Sequence, residues 1–267
     1  MYTIATLYQL RQRLGLAASD TADDPRLLAA LQAAAAHIEG AANRRFCPRL
    51  ATIHHTIGLD HTELPLDDDL LELTSLTNGD GSAISLSDVV AAPDSDEPTS
   101  VLRLINGLAF TWDVTPVQAV AVTGLWGWHN RWPLAWLNSS DTVQNNPLSS
   151  SATTLTVIDA DTADADNQSP RFQVGHLLRI EGEYLRVLAA NTAANQLTVQ
   201  RGVNGTTAAS HAQNTAIHIY QPPSDVNMLA LRWAAWLYKE PDSRGLTGLP
   251  PSLTAALNPL RRLTAKA

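Results

Sequence analysis

Two groups of residues have the side chains that metal or acid–base chemistry needs. His54, His55 and His61 lie near Asp60 and Glu63, and imidazole with carboxylate is a familiar zinc ligand set. On a strand, however, His54 and His55 point to opposite faces, so one ion cannot take both without a bulge. Asp159, Asp161, Asp164 and Asp166 offer the oxygen ligands that calcium prefers, but the glycine at loop position six and the glutamate at position twelve are missing. Solvated side chains are the favoured reading of both groups, and neither a metal nor another cofactor is expected. No Gly-x-Ser-x-Gly elbow, Walker loop or His-Glu-x-x-His helix occurs, so the common nucleophile, phosphate and zinc signatures fail. The residues point away from an enzyme. Cys47, the single cysteine, excludes an intrachain disulfide framework and a Cys-based zinc site, and reads as a small buried residue.

Trp126, Trp128, Trp132 and Trp136 fall within 11 residues. A flat exposed aromatic platform of this kind would suit stacking on sugar rings. Packing in a core or a subunit interface is the stronger reading, because tryptophan is favoured in both. Trp233 and Trp236, three apart on one helix, belong to a core.

These residues need elements to hold them, and 267 residues with 45% apolar content can fill a core. Thr6 and Gln9 form a capping box before Leu7, Leu10 and Leu14, and Gly15 supplies the stop. A second helix is expected from Asp24 as N-cap with Pro25 at its first position. Its stripe is Leu27, Leu28, Leu31, Ala35, Ile38 and Ala42. From about Arg49 the period becomes alternating, with strands at 52–58, 70–76, 101–105 and 117–123, and with Pro65 to Asp69 read as a turn segment. A polar spacer over 138–151 then precedes five short strands within 154–220, which suggest a compact antiparallel barrel or sandwich. Helix returns at Asp225 and runs to Pro241, and a short helix at 252–257 follows.

Charge is uneven along the chain. The net is −8; residues 49–137 hold 12 acidic and 3 basic residues, whereas 223–267 hold 3 acidic and 6 basic. The overall sign argues against a clamp on nucleic acid, which would need Lys and Arg for the phosphates. An acidic middle and a basic tail suit complementary contacts between subunits or with a partner. No run of about 18 apolar residues is present to span a bilayer, and Met1 to Ile4 do not open a secretory signal, so assembly in the cytoplasm is expected.

Three stretches resemble one family. An Ala-rich second helix ends in Asn43-Arg44-Arg45-Phe46, the strand 120–124 runs into Leu125-Trp126-Gly127-Trp128, and a closing helix spans 225–238. In order and spacing they are similar to the head-tail connector, or adaptor, proteins of long-tailed bacteriophages and gene-transfer particles, over most of 1–137 and 224–240. The resemblance implies an α+β protein. A small helical bundle would pack beside an antiparallel β element in a connector core, 1–137, with a closing helix at 224–240 and a C-terminal docking tail at 241–267. The β module inserted at 138–223 departs from the smaller members of the family; its Pro170-Arg171-Phe172, Gly175 to Arg179 and Arg201 to Thr206 resemble an insert carried by some larger phage neck proteins. The resemblance further implies a homo-dodecameric ring at the virion neck, with the portal protein on one side and a stopper or tail-completion protein on the other, through which packaged DNA passes without specific binding. On that reading Leu249, Leu253, Leu257, Leu260, Arg261, Arg262 and Leu263 would dock on the portal, and Asp67, Asp68, Asp69, Asp94, Asp96 and Glu97 are candidates to line the channel and repel DNA. The alternative is a carbohydrate-binding or decoration protein of the phage tail, built on the tryptophans.

Overall fold

A computed structural model describes residues 3–17, 20–94, 97–239 and 250–262, which form a mixed helix-and-sheet protein with four α-helices and two six-stranded antiparallel sheets. These residues divide into two compact units: 1–43 with 134–267, and 44–133.

The first unit begins with α1 (Leu7–Leu14), whose N-terminus is satisfied as the sequence predicts. The Thr6 hydroxyl accepts the Gln9 N–H at 3.2 Å, the Gln9 side chain accepts the Thr6 N–H at 3.0 Å, and Gly15 closes the helix in the left-handed region at φ 71°. Helix α2 (Asp24–Ala42) starts one residue earlier than expected, with Asp23 as N-cap. This frees Asp24 to receive the Arg11 guanidinium, whose Nε lies 2.8 Å from Oδ1. The buried stripe of α2 is Leu27, Ala30, Leu31, Ala34, Ala35, Ile38 and Ala42. Against it packs α3 (Ser224–Lys239), with Trp233 stacked on His37 at 5.9 Å, and α4 (Pro251–Leu257) packs against α2 and α3.

The same unit contains a sheet of β7 (Trp136–Thr142), β8 (Thr154–Thr156), β9 (Leu177–Ile180), β10 (Glu183–Asn191), β11 (Gln196–Gln200) and β12 (Ala216–Tyr220), in the order β7-β12-β9-β10-β11-β8. Strand β7 occupies what reads in sequence as a polar spacer. Two of its polar side chains, Ser139 and Asp141, are buried and hydrogen-bonded, while Asn138 and Ser140 face out: Ser139 Oγ donates to the Ile217 carbonyl at 2.7 Å. Asp141, only 2% exposed, accepts the Ile158 and Asp159 N–H groups at 2.9 and 3.0 Å and pairs with Arg171 at 3.0 Å. The expected insert is also tied to the helices. The Leu7 N–H donates to the Val174 carbonyl at 3.2 Å, the Thr6 hydroxyl bonds the Gln173 side chain, and Gly175 (φ 101°) leaves room where a Cβ would come within 2.8 Å of Thr3 Oγ1.

The second unit holds β1 (Arg49–His55), β2 (Glu63–Thr77), β3 (Ala83–Ile84), β4 (Val89–Ala92), β5 (Thr99–Leu104) and β6 (Val120–Trp126), in the order β1-β6-β2-β5-β4 with β3 beside β2. The expected turn at Pro65 to Asp69 is instead part of the long strand β2, where a register shift between Pro65 and Leu70 absorbs the extra residues. Strand β6 lies between β1 and β2, and its alternation buries Val120, Val122 and Trp126. Gly124 is required there. A Cβ at this position would stand 2.2 Å from the Glu72 carbonyl oxygen and 2.8 Å from the Leu70 side chain. Gly124→Ala is therefore expected to destabilise this unit by at least the ~1–3 kcal/mol typical of overpacking, because a backbone oxygen must shift. Urea unfolding of the purified variant measures the loss; an unchanged midpoint would contradict the packing described.

Candidate functional site

The histidine group does not converge. His55 is fully buried, its ring 5.5 Å from that of Trp126, and its Nδ1 accepts the Asp67 N–H at 3.3 Å. His54, on the opposite face of β1, is exposed, and His61 sits edge-on to Trp112 at 5.2 Å. Among the described residues no three His, Cys, Asp or Glu side chains are arranged to hold a metal. In the acidic loop the carboxylates serve the loop's own backbone. Asp159 accepts the N–H groups of Asp161 and Thr162, both at 3.3 Å, and Asp164 accepts those of Asp166 and Gln168 at 3.0 and 2.9 Å.

The four tryptophans do not share one surface. Trp126 is buried and its indole N–H donates to the Ala51 carbonyl at 2.9 Å. Trp128 meets Phe46 edge-on at 5.7 Å under the Arg44 guanidinium, and the Trp132 N–H donates to Glu72 at 2.6 Å. Trp136 belongs to the other unit, packed between Tyr184 and Tyr220 at 5.1 and 5.3 Å with Arg179 over its ring at 4.6 Å.

The channel candidates divide. Asp67, Asp94 and Glu97 are exposed, whereas Asp96 lies outside the described residues. Asp69 corrects the expectation: it is 4% exposed, 3.4 Å from Arg44, and its carbonyl accepts the Gly127 N–H at 2.8 Å. Asp68 is half-buried beside Arg45 and accepts the Asp69 N–H at 2.9 Å. An acidic run in a bulged strand thus anchors the segment Arg44–Phe46 instead of facing solvent as a whole.

The tail also requires correction. Leu253, Leu257 and Leu260 are buried within the first unit, and the Arg262 N–H donates to the Ala42 carbonyl at 2.8 Å. The leucine stripe is closed by the chain's own helices, so these three leucines are not free to fill grooves on a portal. Arg261 is exposed and Arg262 half-buried; Leu249 and Leu263 lie outside the described residues.

One polar cluster was not singled out from the sequence. Glu183, 1% exposed, receives Arg201 in a two-pronged pair, Nε to Oε1 and Nη2 to Oε2, both at 2.7 Å. It also accepts the Gly202 and Ala209 N–H groups at 2.9 and 3.0 Å. His211 Nε2 lies 2.8 Å from Glu183 Oε2 and its Nδ1 2.7 Å from Glu181 Oε2, contacts that are satisfied together when each nitrogen carries a hydrogen. Arg201 further donates to the carbonyls of Ser149, Ala152 and Ala209. Glu183, Arg201 and both ring nitrogens of His211 are committed to other parts of the same unit, so the cluster clamps the loop 202–211 to the β9–β10 turn. A glutamate opening the strand just after Gly182 and an arginine just before Gly202 were the available signals.

No known protein-family model and no curated protein matches the chain. Among the described residues no helix is long and apolar enough to cross a membrane.

Two measurements test this geometry. Burial pushes the Glu183 carboxyl up, but the Arg201, Ala209, His211 and Gly202 hydrogen bonds outweigh it and hold the group at about 2, against an ordinary 4.5. A depressed carboxylate stabilises the fold fully above its unfolded value and loses that contribution as pH falls from 4.5 towards 2. Glu183→Gln should cost about 3–5 kcal/mol at neutral pH by leaving Arg201 buried and unpaired. It should also flatten the loss of stability over that acid window in denaturation curves; a variant as stable as the parent would contradict the clamp. Leu257→Ala, in turn, is expected to cost about 2–5 kcal/mol, as for a core leucine. A calorimetric melt unchanged by this substitution would return the tail to the role of a free docking segment.

Proposed function

We propose that the chain is a structural subunit of a ring at the neck of a long-tailed bacteriophage particle, joining the capsid portal to the tail and extending the DNA channel without catalysing a reaction. The observation that supports this reading best is the closure of helices from the two ends of the chain. Helix α3 returns after two intervening sheets to pack on α2 and α1. The sequence order that resembles the connector family thereby becomes a single helical core.

On this reading the unit 44–133, with its exposed Asp67, Asp94 and Glu97, presents negative charge to the channel, which keeps passing DNA from adhering. The sheet of β7 to β12 is drawn towards a barrel by the bond from the Gln144 N–H after β7 to the Thr156 carbonyl of β8, at 2.8 Å, and supplies an additional contact module. Docking on the portal then falls to exposed groups such as Arg261, not to the buried leucines. The neighbours are the portal protein, a stopper or tail-completion protein, and further copies of the chain.

Co-sedimentation with capsids that carry their portal but lack a tail tests the proposal. The protein is expected to co-sediment at ring stoichiometry, twelve copies per capsid, and to leave portal-free capsids unbound. Equal recovery with both capsid types, or none with either, would reject the neck assignment.

A further inference from the structure

The unit 44–133 carries exposed apolar side chains that its own fold does not use. Leu59 is fully exposed, Val114 93% exposed and Val117 59% exposed. They lie on two loops bonded to one another: the Ile57 N–H donates to the Pro116 carbonyl at 3.0 Å, and the Gln118 N–H donates to Thr56 Oγ1 at 3.1 Å. Clustered exposed branched side chains mark interaction surfaces, because water gains when they are covered. Their rim is acidic. Asp60 follows Leu59 and Asp113 precedes Val114. The Thr62 hydroxyl and N–H, at 2.7 and 2.8 Å, hold the Asp60 carboxyl below the usual carboxylate range and fix its charge beside the tip.

A surface of matching kind and opposite sign lies on the other unit. The outward stripe of α3 runs through Asp225, Met228, Arg232, Ala235 and Lys239, with Met228 51% exposed. Arg13 of α1 adds its guanidinium 3.7 Å from the Met228 sulfur. The result is an apolar centre flanked by three cations, with Asp225 the one carboxylate on the stripe. Methionine adapts its shape to a partner side chain at small cost. Two complementary patches at different places on one chain make a head-to-tail contact, which generates a ring when its rotation closes and an open filament when it does not.

We propose that the Leu59–Val114–Val117 tip of one copy docks on the Met228–Arg232 face of α3 in the next copy, with Asp60 and Asp113 opposite Arg13 and Arg232. This assignment rests on the ring reading above and names its subunit contact. An acidic rim suits a basic protein surface and disfavours an anionic lipid one.

Three double variants separate the possibilities, at exposed positions apart from the half-buried Arg232: Asp60→Lys with Asp113→Lys, Arg13→Glu with Arg232→Glu, and Leu59→Ser with Val114→Ser. Unchanged circular dichroism melts verify that each still folds. Self-association is then followed by mass photometry and sedimentation over a concentration series, alone and on portal-bearing capsids. Each variant should weaken self-association at least tenfold, and an equimolar mixture of the two charge-reversed proteins should recover it. If wild type forms rings and all three folded variants form them equally well, this contact is wrong while the ring reading stands. Wild type that remains monomeric both alone and on capsids removes the ring reading and this contact with it. Leu59→Ser with Val114→Ser that self-associates normally but no longer binds capsids would assign the tip to a different partner and overturn the proposal.

Discussion

Packing of α3 on α2 is the constraint on which the first unit depends. The buried stripe of α2, which packs against α3, α1 and α4, sets Ala30, Ala34 and Ala35 among Leu27, Leu31 and Ile38, so helix backbones can approach closely while the larger side chains fill the space between them. Trp233 stacks on His37 across the α2–α3 seam, and Tyr238 near the end of α3 bonds Asp23 at the start of α2. The pairing joins residues about 200 positions apart. Once it is made, β12 must end close to the helices, and α4 finds the groove in which its leucines are buried. A connection of such sequence separation carries a large closure entropy, which the apolar burial along the seam offsets.

Within the sheet of β7 to β12 the organising groups are polar. Asp141 gathers the segment at 158–159 and Arg171, while Glu183 gathers Arg201, His211 and the loop 202–211. Buried charges of this kind are expensive to desolvate and persist where paired and fully hydrogen-bonded. They specify which loop lies where; the apolar core of Leu178, Ile180, Leu185, Val187, Leu197 and Val199 supplies the bulk of the burial. The sheet of β1 to β6 uses a different device. It relies on Gly124, whose missing side chain lets β6 pass under the Glu72 carbonyl, and on Asp69, which ties the Arg44–Phe46 entry to the strand.

Local rules made the helices legible: the Thr6–Gln9 capping box, Gly15, Pro25 and the apolar period of α2 all act within a few residues of one another. Strand β7 was not legible, because Asn138-Ser139-Ser140-Asp141 has the composition of a linker. Its burial depends on the Ile217 carbonyl and Arg171, both distant in sequence. The same limit applies to the Glu183 cluster, whose members stand 18 and 28 residues apart. Asp67, Asp68 and Asp69 look alike in sequence, yet a register shift in β2 exposes the first, half-buries the second and buries the third. The tail leucines were legible as a stripe that must be covered. What covers them, α2 and α3, depends on the pairing of the chain's two ends.

The central claim is that this helical core, with its two antiparallel sheets, builds a ring beneath a portal. Reconstruction of the neck of the assembled particle by electron cryomicroscopy tests it most directly. The account predicts density for twelve copies around the channel immediately below the portal, into which each of the two units fits with α3 lying against α2. Density at that position built by a different chain, with this protein placed on the tail surface or absent from the particle, would contradict it.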